Sequence, residues 1–326
     1  MKTNIWLLGY FFLGFILAGC LAETSTPTIQ SIQTTTTAIP SPTNTSSLPD
    51  RCRDLKQENG LPASNEVRNS SIVYQAYAFD NENHVINPVW EVSLSNGSEK
   101  LLSEKLPTTP NTDDIISNGF TLYSSDEKHV AIWEYSFETI SSENTYPLII
   151  RNKDNGRDIV VFQSNLGESI QGNWSPDGNY FVFTWYKNIP EYYSMVYLVN
   201  ADGTELKELT PHINYEILDR PYWSPDGKKI AIPIYSPGYI IIINVQTSGI
   251  KRFKVSPIIK LYPSSIWDSK PQSTMLWSSD SKWFAYISEY EHNGVEILDT
   301  ENGNIYCVEN EKIFGAEKLV WRYDSP

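Results

Sequence analysis

The stretch that decides the fold runs from Asn173 to Phe183 and reads NWSPDGNYFVF. Ser, Pro, Asp and Gly occupy the four positions of a type I β-turn, where proline presets one backbone dihedral and the aspartate carboxylate accepts nearby backbone N–H groups. Three apolar residues, 181–183, come soon after the turn. Because a continuous apolar run is typical of a strand covered on both faces, the sequence predicts a tight turn that leads into a buried strand.

Similar turns recur along the chain, each with an aromatic residue followed three positions later by Asp. The five occurrences are Tyr123 with Asp126, Trp174 with Asp177, Trp223 with Asp226, Trp277 with Asp280, and Trp321 with Asp324. The Asp-to-Asp spacings are 51, 49, 54 and 44 residues, and a regular period of this size indicates a repeat architecture. Because these residues recur in every repeat, we expect the aromatic residues to pack between sheets and the Asp residues to hold turns.

A second series of turns alternates with the first. Its glycines are Gly97, Gly156, Gly203, Gly249 and Gly303, most of them in the Asn-Gly or Asp-Gly pairs that favour hairpins. A strand-like run precedes each glycine, as at 196–199 and 240–243. Each repeat therefore holds four strands and two tight turns, and four-stranded units at this period are the blades of a β-propeller. We predict an all-β fold of this kind.

The Trp-Ser-Pro-Asp-Gly turn, followed by Lys or Asn and an apolar triplet, resembles the TolB-type WD-like β-propeller repeat. The matches are complete at 174–178 and 223–227 and partial at the other three turns, and the resemblance covers residues 70–326. TolB proteins are soluble and periplasmic, with an extra α/β domain and a six-bladed propeller. We expect this chain to differ from them in all three respects, so their partner contacts are not carried over.

The order of the turns predicts the number of blades. The two series alternate strictly from Gly97 to Asp324, so the repeat region begins and ends halfway through a repeat. Pairing the last strand, 319–321, with 72–79 would complete one blade from both ends of the chain and close the ring, which removes exposed sheet edges. We predict five blades. Six remain open as an alternative if the short polar segment 51–71 supplies another blade element.

The N-terminus has the composition of an export signal. Lys2 precedes an apolar stretch, 5–19, that is shorter than the ~20 residues needed to span a bilayer and fits a secretory signal peptide. It ends in Leu-Ala-Gly-Cys, which resembles the bacterial lipobox, where Cys20 would carry lipid; an ordinary signal peptide is the alternative. We therefore expect a signal peptide (1–19), a lipidated Cys20 with a Ser/Thr/Pro-rich linker (20–50), and an extracytoplasmic, membrane-anchored propeller (51–326).

The net charge limits which partners the protein can have. A formal net charge of −14 disfavours nucleic acid and anionic lipid as main partners, because both would repel the protein.

The cysteines allow one disulfide. Apart from Cys20, the chain has Cys52 and Cys307. In an oxidising compartment these two could form a disulfide that joins the start of the domain to its end, and two free buried thiols are the alternative. We expect a monomer without metal or cofactor.

Function is expected in the parts that differ among repeats, which are the longer loops at one end of the propeller. Candidate binding residues in or beside these loops are Trp185, Tyr186, Tyr192, Tyr193, Tyr215, Asp219, Tyr262, Trp267 and Glu289. Aromatic residues with few lysines are typical of recognition surfaces, although an aromatic-rich chain also places such residues in loops by chance. The sequence contains no nucleophile elbow, zinc-binding or phosphate-binding motif.

Two functional hypotheses follow from these features. The preferred one is a non-catalytic, surface-tethered propeller that binds a protein or peptide of the cell envelope. The alternative is a propeller that binds or hydrolyses glycans through carboxylates at the channel mouth, and it rests on fold-level analogy. Hydrolysis would require a pair of carboxylates about 5–9.5 Å apart in an open pocket.

Overall fold

The structure, a computed structural model, describes the chain from residue 52 to residue 323 with gaps. The described ranges are 52–80, 84–102, 119–134, 145–165, 167–187, 193–210, 213–214, 220–234, 238–256, 275–288, 295–308 and 315–323. All of them belong to one compact unit, Asn44–Pro326. The expected signal peptide, Cys20 and the whole of the linker lie outside the described residues.

The described chain consists almost entirely of β-strands, with one short helix, α1 (Asn65–Arg68). The strands are β1 (Arg53–Asp54), β2 (Ser71–Phe79), β3 (Val85–Ile86), β4 (Val89–Ser93), β5 (Glu99–Leu102), β6 (Gly119–Tyr123), β7 (His129–Glu134), β8 (Thr145–Asn152), β9 (Asp158–Asn165), β10 (Glu168–Trp174), β11 (Tyr180–Lys187), β12 (Tyr193–Asn200), β13 (Lys207–Glu208), β14 (Ile213–Asn214), β15 (Tyr222–Trp223), β16 (Lys229–Ile234), β17 (Tyr239–Asn244), β18 (Ile250–Lys254), β19 (Met275–Trp277), β20 (Trp283–Ile287), β21 (Val295–Asp299), β22 (Ile305–Cys307) and β23 (Gly315–Arg322).

These strands form five sheets, each built on four antiparallel strands in meander order. The first sheet is β23-β2-β4-β5, the second β6-β7-β8-β9, the third β10-β11-β12-β13, the fourth β15-β16-β17-β18, and the fifth β19-β20-β21-β22. The short strands β3 and β14 add to β2 and β12. The predicted all-β architecture of four-stranded units is therefore confirmed. The number of blades stays a prediction, since these sheets are counted over the described ranges alone.

The first sheet joins the two ends of the repeat region, as the alternating turns predict. Strand β2 pairs antiparallel with the last strand, β23, and Ile72 lies opposite Trp321. Strand β2 also pairs with β4 on its other side. The predicted pairing of the terminal strands is confirmed, and it makes one sheet from residues more than two hundred positions apart.

The segment before β2 differs from the short polar stretch that its composition suggests. Strand β1 adds to the outer edge of the fifth sheet by parallel pairing with β22, so the segment forms no sheet of its own in the part described. Leu55, Leu61 and Val67 are fully buried in the apolar cluster between the first and fifth sheets. A disulfide joins Cys52 to Cys307, with Cα atoms 5.8 Å apart, so of the two alternatives for these cysteines the structure has the paired one.

Apolar side chains pack between neighbouring sheets. Four clusters join the second sheet to the third, the third to the fourth, the fourth to the fifth, and the fifth to the first. The remaining cluster consists of Val73 and Val89 with Leu102 and Val320, all of them on the first sheet. Among the described residues, the face that the first sheet turns away from the fifth therefore carries the smallest apolar cluster.

Tryptophan side chains link successive sheets by hydrogen bonds as well as by packing. The indole Nε1 of Trp174 donates to Leu122 O of the second sheet at 2.9 Å. Trp223 Nε1 donates to the third sheet and Trp277 Nε1 to the fourth, in each case to the carbonyl just before the aromatic residue of that sheet's turn. Trp321 Nε1 donates instead to Ser70 Oγ. Trp174, Trp223 and Trp277 therefore connect neighbouring sheets by hydrogen bonds.

The recurring Ser and Asp residues share one hydrogen-bond network in four turns, at 124–128, 175–179, 224–228 and 278–282. In each turn the serine Oγ donates to the Asp Oδ1 at 2.6 Å. The same Oδ1 accepts the backbone N–H two residues later, at 3.1 or 3.2 Å. The fifth predicted turn aspartate, Asp324, lies outside the described residues. We call the end of the propeller with these turns the turn end and the opposite end the loop end.

Candidate functional site

The described part of the loop end contains three of the nine candidate binding residues. Trp185 and Tyr186 lie near the end of β11, and Tyr193 begins β12. All three are partly exposed. The other six candidates, Tyr192, Tyr215, Asp219, Tyr262, Trp267 and Glu289, lie outside the described residues.

Strand register brings two further charged residues to Trp185 and Tyr193. Glu168, the first residue of β10, lies opposite Lys187, and Lys187 lies opposite Tyr193. Side chains alternate between the two faces of a strand, so Trp185 shares a face with this row. The rings of Trp185 and Tyr193 meet edge to face, with centroids 5.2 Å apart, and Lys187 Nζ lies 5.8 Å from the Tyr193 ring centroid.

The buried carboxylate of Glu168 contacts both Trp185 and Lys187. Glu168 is 4% exposed, and its Oε2 accepts hydrogen bonds from Trp185 Nε1 at 3.0 Å and from the Asn165 backbone N–H at 2.9 Å. Its Oε1 accepts from Asn165 Nδ2 at 3.2 Å and lies 3.8 Å from Lys187 Nζ. Since a buried carboxylate is stable only when it is paired or hydrogen-bonded, these contacts fix the orientation of Trp185 and Lys187.

The wall behind Trp185 is aromatic. The Phe162 ring meets Trp185 at a centroid distance of 5.4 Å and Tyr197 at 5.3 Å. Burial, and after it the negative charge of Glu208, raises the pKa of Tyr197, so its hydroxyl stays neutral at physiological pH. The result is a rigid surface of partly exposed rings with one lysine, which is suited to binding and contains no free nucleophile among the residues named here. We call Glu168, Trp185, Lys187 and Tyr193 the loop-end cluster.

A second polar pair lies in the fifth sheet and is sealed from solvent. Tyr286 and Glu296 face each other in strand register, both are fully buried, and Tyr286 Oη donates to Glu296 Oε2. Burial, followed by the charge of Glu296 and this hydrogen bond, raises the pKa of Tyr286 well above its ordinary value. Because a ligand cannot reach either group in this arrangement, we assign the pair to the core.

Sequence reasoning found the aromatic members of the loop-end cluster and missed Glu168 and Lys187. Trp185 and Tyr193 stand out in the sequence because they flank a loop in an aromatic-rich region. Glu168 is seventeen residues from Trp185, and only the register of β10 and β11 brings the two together. A strand alignment counted outward from the 175–179 turn could have found this pairing.

Within the described ranges, no group of three or more His, Cys, Asp or Glu side chains is arranged to hold a metal ion. The one helix there, α1, is far too short to cross a bilayer, and no longer apolar helix occurs in those ranges.

Sequence comparison finds similarity to Tol-Pal system proteins of bacteria. No protein-family model matches the chain. The Tol-Pal system protein TolB of Francisella tularensis subsp. mediasiatica is 33% identical over 210 residues, a match that covers 51% of this chain and 46% of that protein. TolB of Francisella tularensis subsp. holarctica matches with the same identity and coverage. The matched region thus corresponds to about half the length of these curated relatives.

Structural comparison finds TolB proteins at low sequence identity and low TM-score. TolB from Acinetobacter baumannii has 17% identity and a TM-score of 0.39, and the match covers 74% of this chain and 53% of that one. A putative TolB from Agrobacterium tumefaciens has the same identity and TM-score, with 79% and 98% covered. These scores add nothing to the fold assignment, which rests on the strands themselves and on the sequence match.

Meandering four-stranded sheets, four of them containing a Ser-Asp turn and three of them bonded to the preceding sheet by a tryptophan, define a β-propeller. The turn sequence and the 33% identity to Tol-Pal system proteins specify it further. The chain carries a TolB-like β-propeller.

Proposed function

We propose that this chain is a lipid-anchored, extracytoplasmic β-propeller that binds a protein or peptide of the cell envelope at its loop end, without catalysis. The observation that carries the proposal is the loop-end cluster, where partly exposed rings and a lysine are held in place by a buried carboxylate. Trp and Tyr are enriched among the residues that dominate protein interfaces. Rings that are already fixed lose little conformational freedom on binding.

The comparisons support a protein partner in the envelope. The relatives are named as Tol-Pal system proteins, so they function as components of a system of several proteins. This chain matches about half of their length, and we extend to it the general role of envelope protein binding and no specific contact. The Leu-Ala-Gly-Cys sequence at 17–20 supports attachment through lipid on Cys20.

The binding face is tested by cross-linking from defined positions in intact cells. We would replace Tyr186 or Tyr193 with p-benzoylphenylalanine and identify the cross-linked products by mass spectrometry. Tyr180 is the matched control, because it is a partly exposed tyrosine at the opposite end of β11. We expect one protein partner to be cross-linked from Tyr186 and Tyr193 and not from Tyr180.

A second measurement ties that partner to the cluster. In the purified full chain, Tyr193→Ala should weaken binding of the captured partner about thirtyfold or more, as expected when a central aromatic contact is removed. Tyr180→Ala should leave the affinity unchanged. Equal cross-linking from both ends, or an unchanged affinity of Tyr193→Ala, would contradict a binding face at the loop end.

Anchoring is tested separately with Cys20→Ala. This variant should lose metabolic labelling by a radioactive fatty acid and should leave the membrane fraction, because the thiol is the proposed site of lipid attachment. Ser25→Ala, in the same linker, should retain both labelling and membrane association. If Cys20→Ala remains labelled and membrane-bound, the lipoprotein assignment is wrong.

A further inference from the structure

A polar cleft lies at the turn end of the first sheet, on the opposite end of the propeller from the loop-end cluster. Its volume is about 930 Å³, within the size range of sites that hold small ligands. The first sheet, helix α1 and the residue after β23 form its described walls. Its main lining residues are Asn65, Glu66, Asn69, Glu91, Lys100 and Tyr323, with five serines at 70, 71, 93, 95 and 98.

The cleft follows from the way the first sheet is packed. Ser71, Glu91 and Lys100 alternate along their strands with the same phase as Val73 and Val89, so they share the face that the first sheet turns away from the fifth. That face carries the two-residue apolar cluster, whereas each described contact between neighbouring sheets has a larger one. On this face of the first sheet, polar side chains therefore occupy positions that apolar side chains occupy on its other face.

The carboxylate of Glu91 is oriented and has capacity for another hydrogen bond. Ser71 Oγ donates to Glu91 Oε1 at 2.8 Å, and Oε2 has no hydrogen-bond partner among the described residues. Lys100 lies opposite Glu91 in strand register, yet no ion pair within 4 Å joins them or involves Lys100 elsewhere in the described chain. The Glu91 carboxylate, held by Ser71, thus lies across the strand pair from the Lys100 ammonium, and both groups can make further hydrogen bonds.

The serine and asparagine side chains extend this pattern across the cleft. Hydroxyl and amide groups can both donate and accept hydrogen bonds, and Ser93 Oγ already contacts Ser95 Oγ at 2.8 Å. Ligand hydroxyls have the same dual capacity. Glu66 and Glu91 outnumber Lys100 in charge, which disfavours an anionic ligand, and apart from the Tyr323 ring the lining residues are polar.

Tyr323 supplies an aromatic ring at the edge of the cleft. The ring is 38% exposed and stacks on Trp321 at an interplanar angle of 10°. Its Oη accepts the backbone N–H of Ser279, so the ring is held from both sides. A fixed, half-exposed aromatic face beside hydroxyl and carboxylate groups matches a pyranose ring, which presents C–H groups on its faces and hydroxyls around its rim.

We propose that this cleft binds a neutral oligosaccharide, with Glu91 and Lys100 holding ring hydroxyls and Tyr323 covering one sugar face. The site is separate from the loop-end cluster, so the two proposals can fail independently. A tethered propeller with both sites could hold an envelope protein at one end and a glycan at the other.

The test is isothermal titration of the full chain, purified in detergent, with neutral tetrasaccharides. Maltotetraose, cellotetraose and chitotetraose are the probes, and tetragalacturonate is the anionic comparison. We expect at least one neutral probe to bind and tetragalacturonate to bind more weakly. Glu91→Gln should reduce the affinity about tenfold or more, because hydrogen bonds to a charged acceptor are stronger than those to a neutral one.

Matched variants separate a built site from a general surface effect. Glu208→Gln changes an exposed carboxylate on the outer strand of the third sheet and should leave the affinity unchanged. Lys100→Gln provides a second change in the cleft, and the melting temperature of every variant reports whether it is folded. The proposal is overturned if no neutral probe binds, if Glu91→Gln and Lys100→Gln both bind as the wild type does, or if tetragalacturonate or a lysine-rich peptide binds more tightly.

Discussion

The turns after Tyr123 and Trp174 share their backbone and hydrogen bonds, yet their aromatic residues lie in different surroundings. Both turns have the Ser-to-Asp hydrogen bond of 2.6 Å. Trp174 is 6% exposed and its indole donates to the preceding sheet, whereas Tyr123 is 50% exposed and lies under Lys153. The turn thus depends on Ser and Asp, and the aromatic position serves the contact between sheets.

The aromatic position also differs in what it contacts. Tryptophan occupies this position in the third, fourth and fifth sheets, and each of these indoles donates to the sheet before it. The second sheet has Tyr123 instead, and the first sheet, before it in the chain, carries the smallest apolar cluster among the described residues. The exposed aromatic residue therefore follows the sheet with the least apolar packing, while the Ser-Asp network is present in all four described turns.

The largest expected effect comes from removing the buried indole. Trp174→Ala should lower the free energy of unfolding by about 3–5 kcal/mol, since it leaves a cavity in the cluster between the second and third sheets and removes the hydrogen bond from the indole to the Leu122 carbonyl. Tyr123→Ala should cost about 0.5 kcal/mol, as for other exposed positions. Urea denaturation followed by tryptophan fluorescence and circular dichroism measures both values.

Trp174→Phe sharpens this prediction by keeping most of the ring and removing the N–H donor. We expect the loss of unfolding free energy in Trp174→Phe to lie between the losses in Tyr123→Ala and Trp174→Ala, because packing is mostly retained while the hydrogen bond to Leu122 is lost. Similar costs for Trp174→Ala and Tyr123→Ala would show that the two aromatic positions do not differ in role.

The turns and strands could be predicted from sequence because their signals are local. The apolar run at 181–183 and the pairing of β2 with β23 follow from turn chemistry and from the order of the turns. The position of Glu168 beneath Trp185 depends on strand register, which the apolar pattern does not give and which has to be counted outward from the 175–179 turn. Leu55, Leu61 and Val67 have neither strand nor helix periodicity, so their burial between two sheets could not be derived from pattern.

The effect of pH on the turn network should be intermediate in size. Partial burial alone would raise the pKa of Asp177, but hydrogen bonds from Ser175 Oγ and from the backbone and side chain of Asn179 outweigh it and lower the pKa. A lowered pKa in the folded state stabilises the protein above the unfolded pKa of about 3.9, and this stabilisation is lost as the pH falls through the folded value. Asp177→Asn should therefore cost at most about 1 kcal/mol at neutral pH.

The measurement is the gap in unfolding free energy between wild type and Asp177→Asn as a function of pH. We expect the gap to narrow as the pH falls below about 4. Ser175→Ala keeps Asp177 but removes its hydroxyl donor. The unfolding free energy of this variant should therefore change less with pH than that of the wild type. Hydrogen bonds from Ser124 and Lys128 lower the pKa of Asp126 in the degenerate turn, so Asp126→Asn should show the same direction, and a gap that widens in acid would refute the sign.

The smallest effect concerns the residue after each Asp, which has a left-handed backbone in both kinds of turn. Glu127 has φ 57° and Gly227 has φ 67°. Such a conformation costs a non-glycine residue about 1–2 kcal/mol, while glycine adds about 0.4–1 kcal/mol of unfolded-state entropy. Glu127→Gly should therefore stabilise the protein by roughly 0.5 kcal/mol, and Gly227→Ala should destabilise it by a similar amount.

Ser281 separates backbone strain from side-chain contacts at this position. Its φ is 59°, but its Oγ also accepts the backbone N–H of Asp226 in the neighbouring turn at 3.1 Å. Ser281→Gly should gain from the backbone and lose this hydrogen bond, so we expect no net stabilisation, unlike Glu127→Gly. Thermal unfolding of the three variants in parallel measures these small differences. Equal stabilisation by Glu127→Gly and Ser281→Gly would mean that the hydrogen bond between Asp226 and Ser281 contributes nothing to stability. Backbone strain would then be the one difference at this position between degenerate and complete turns.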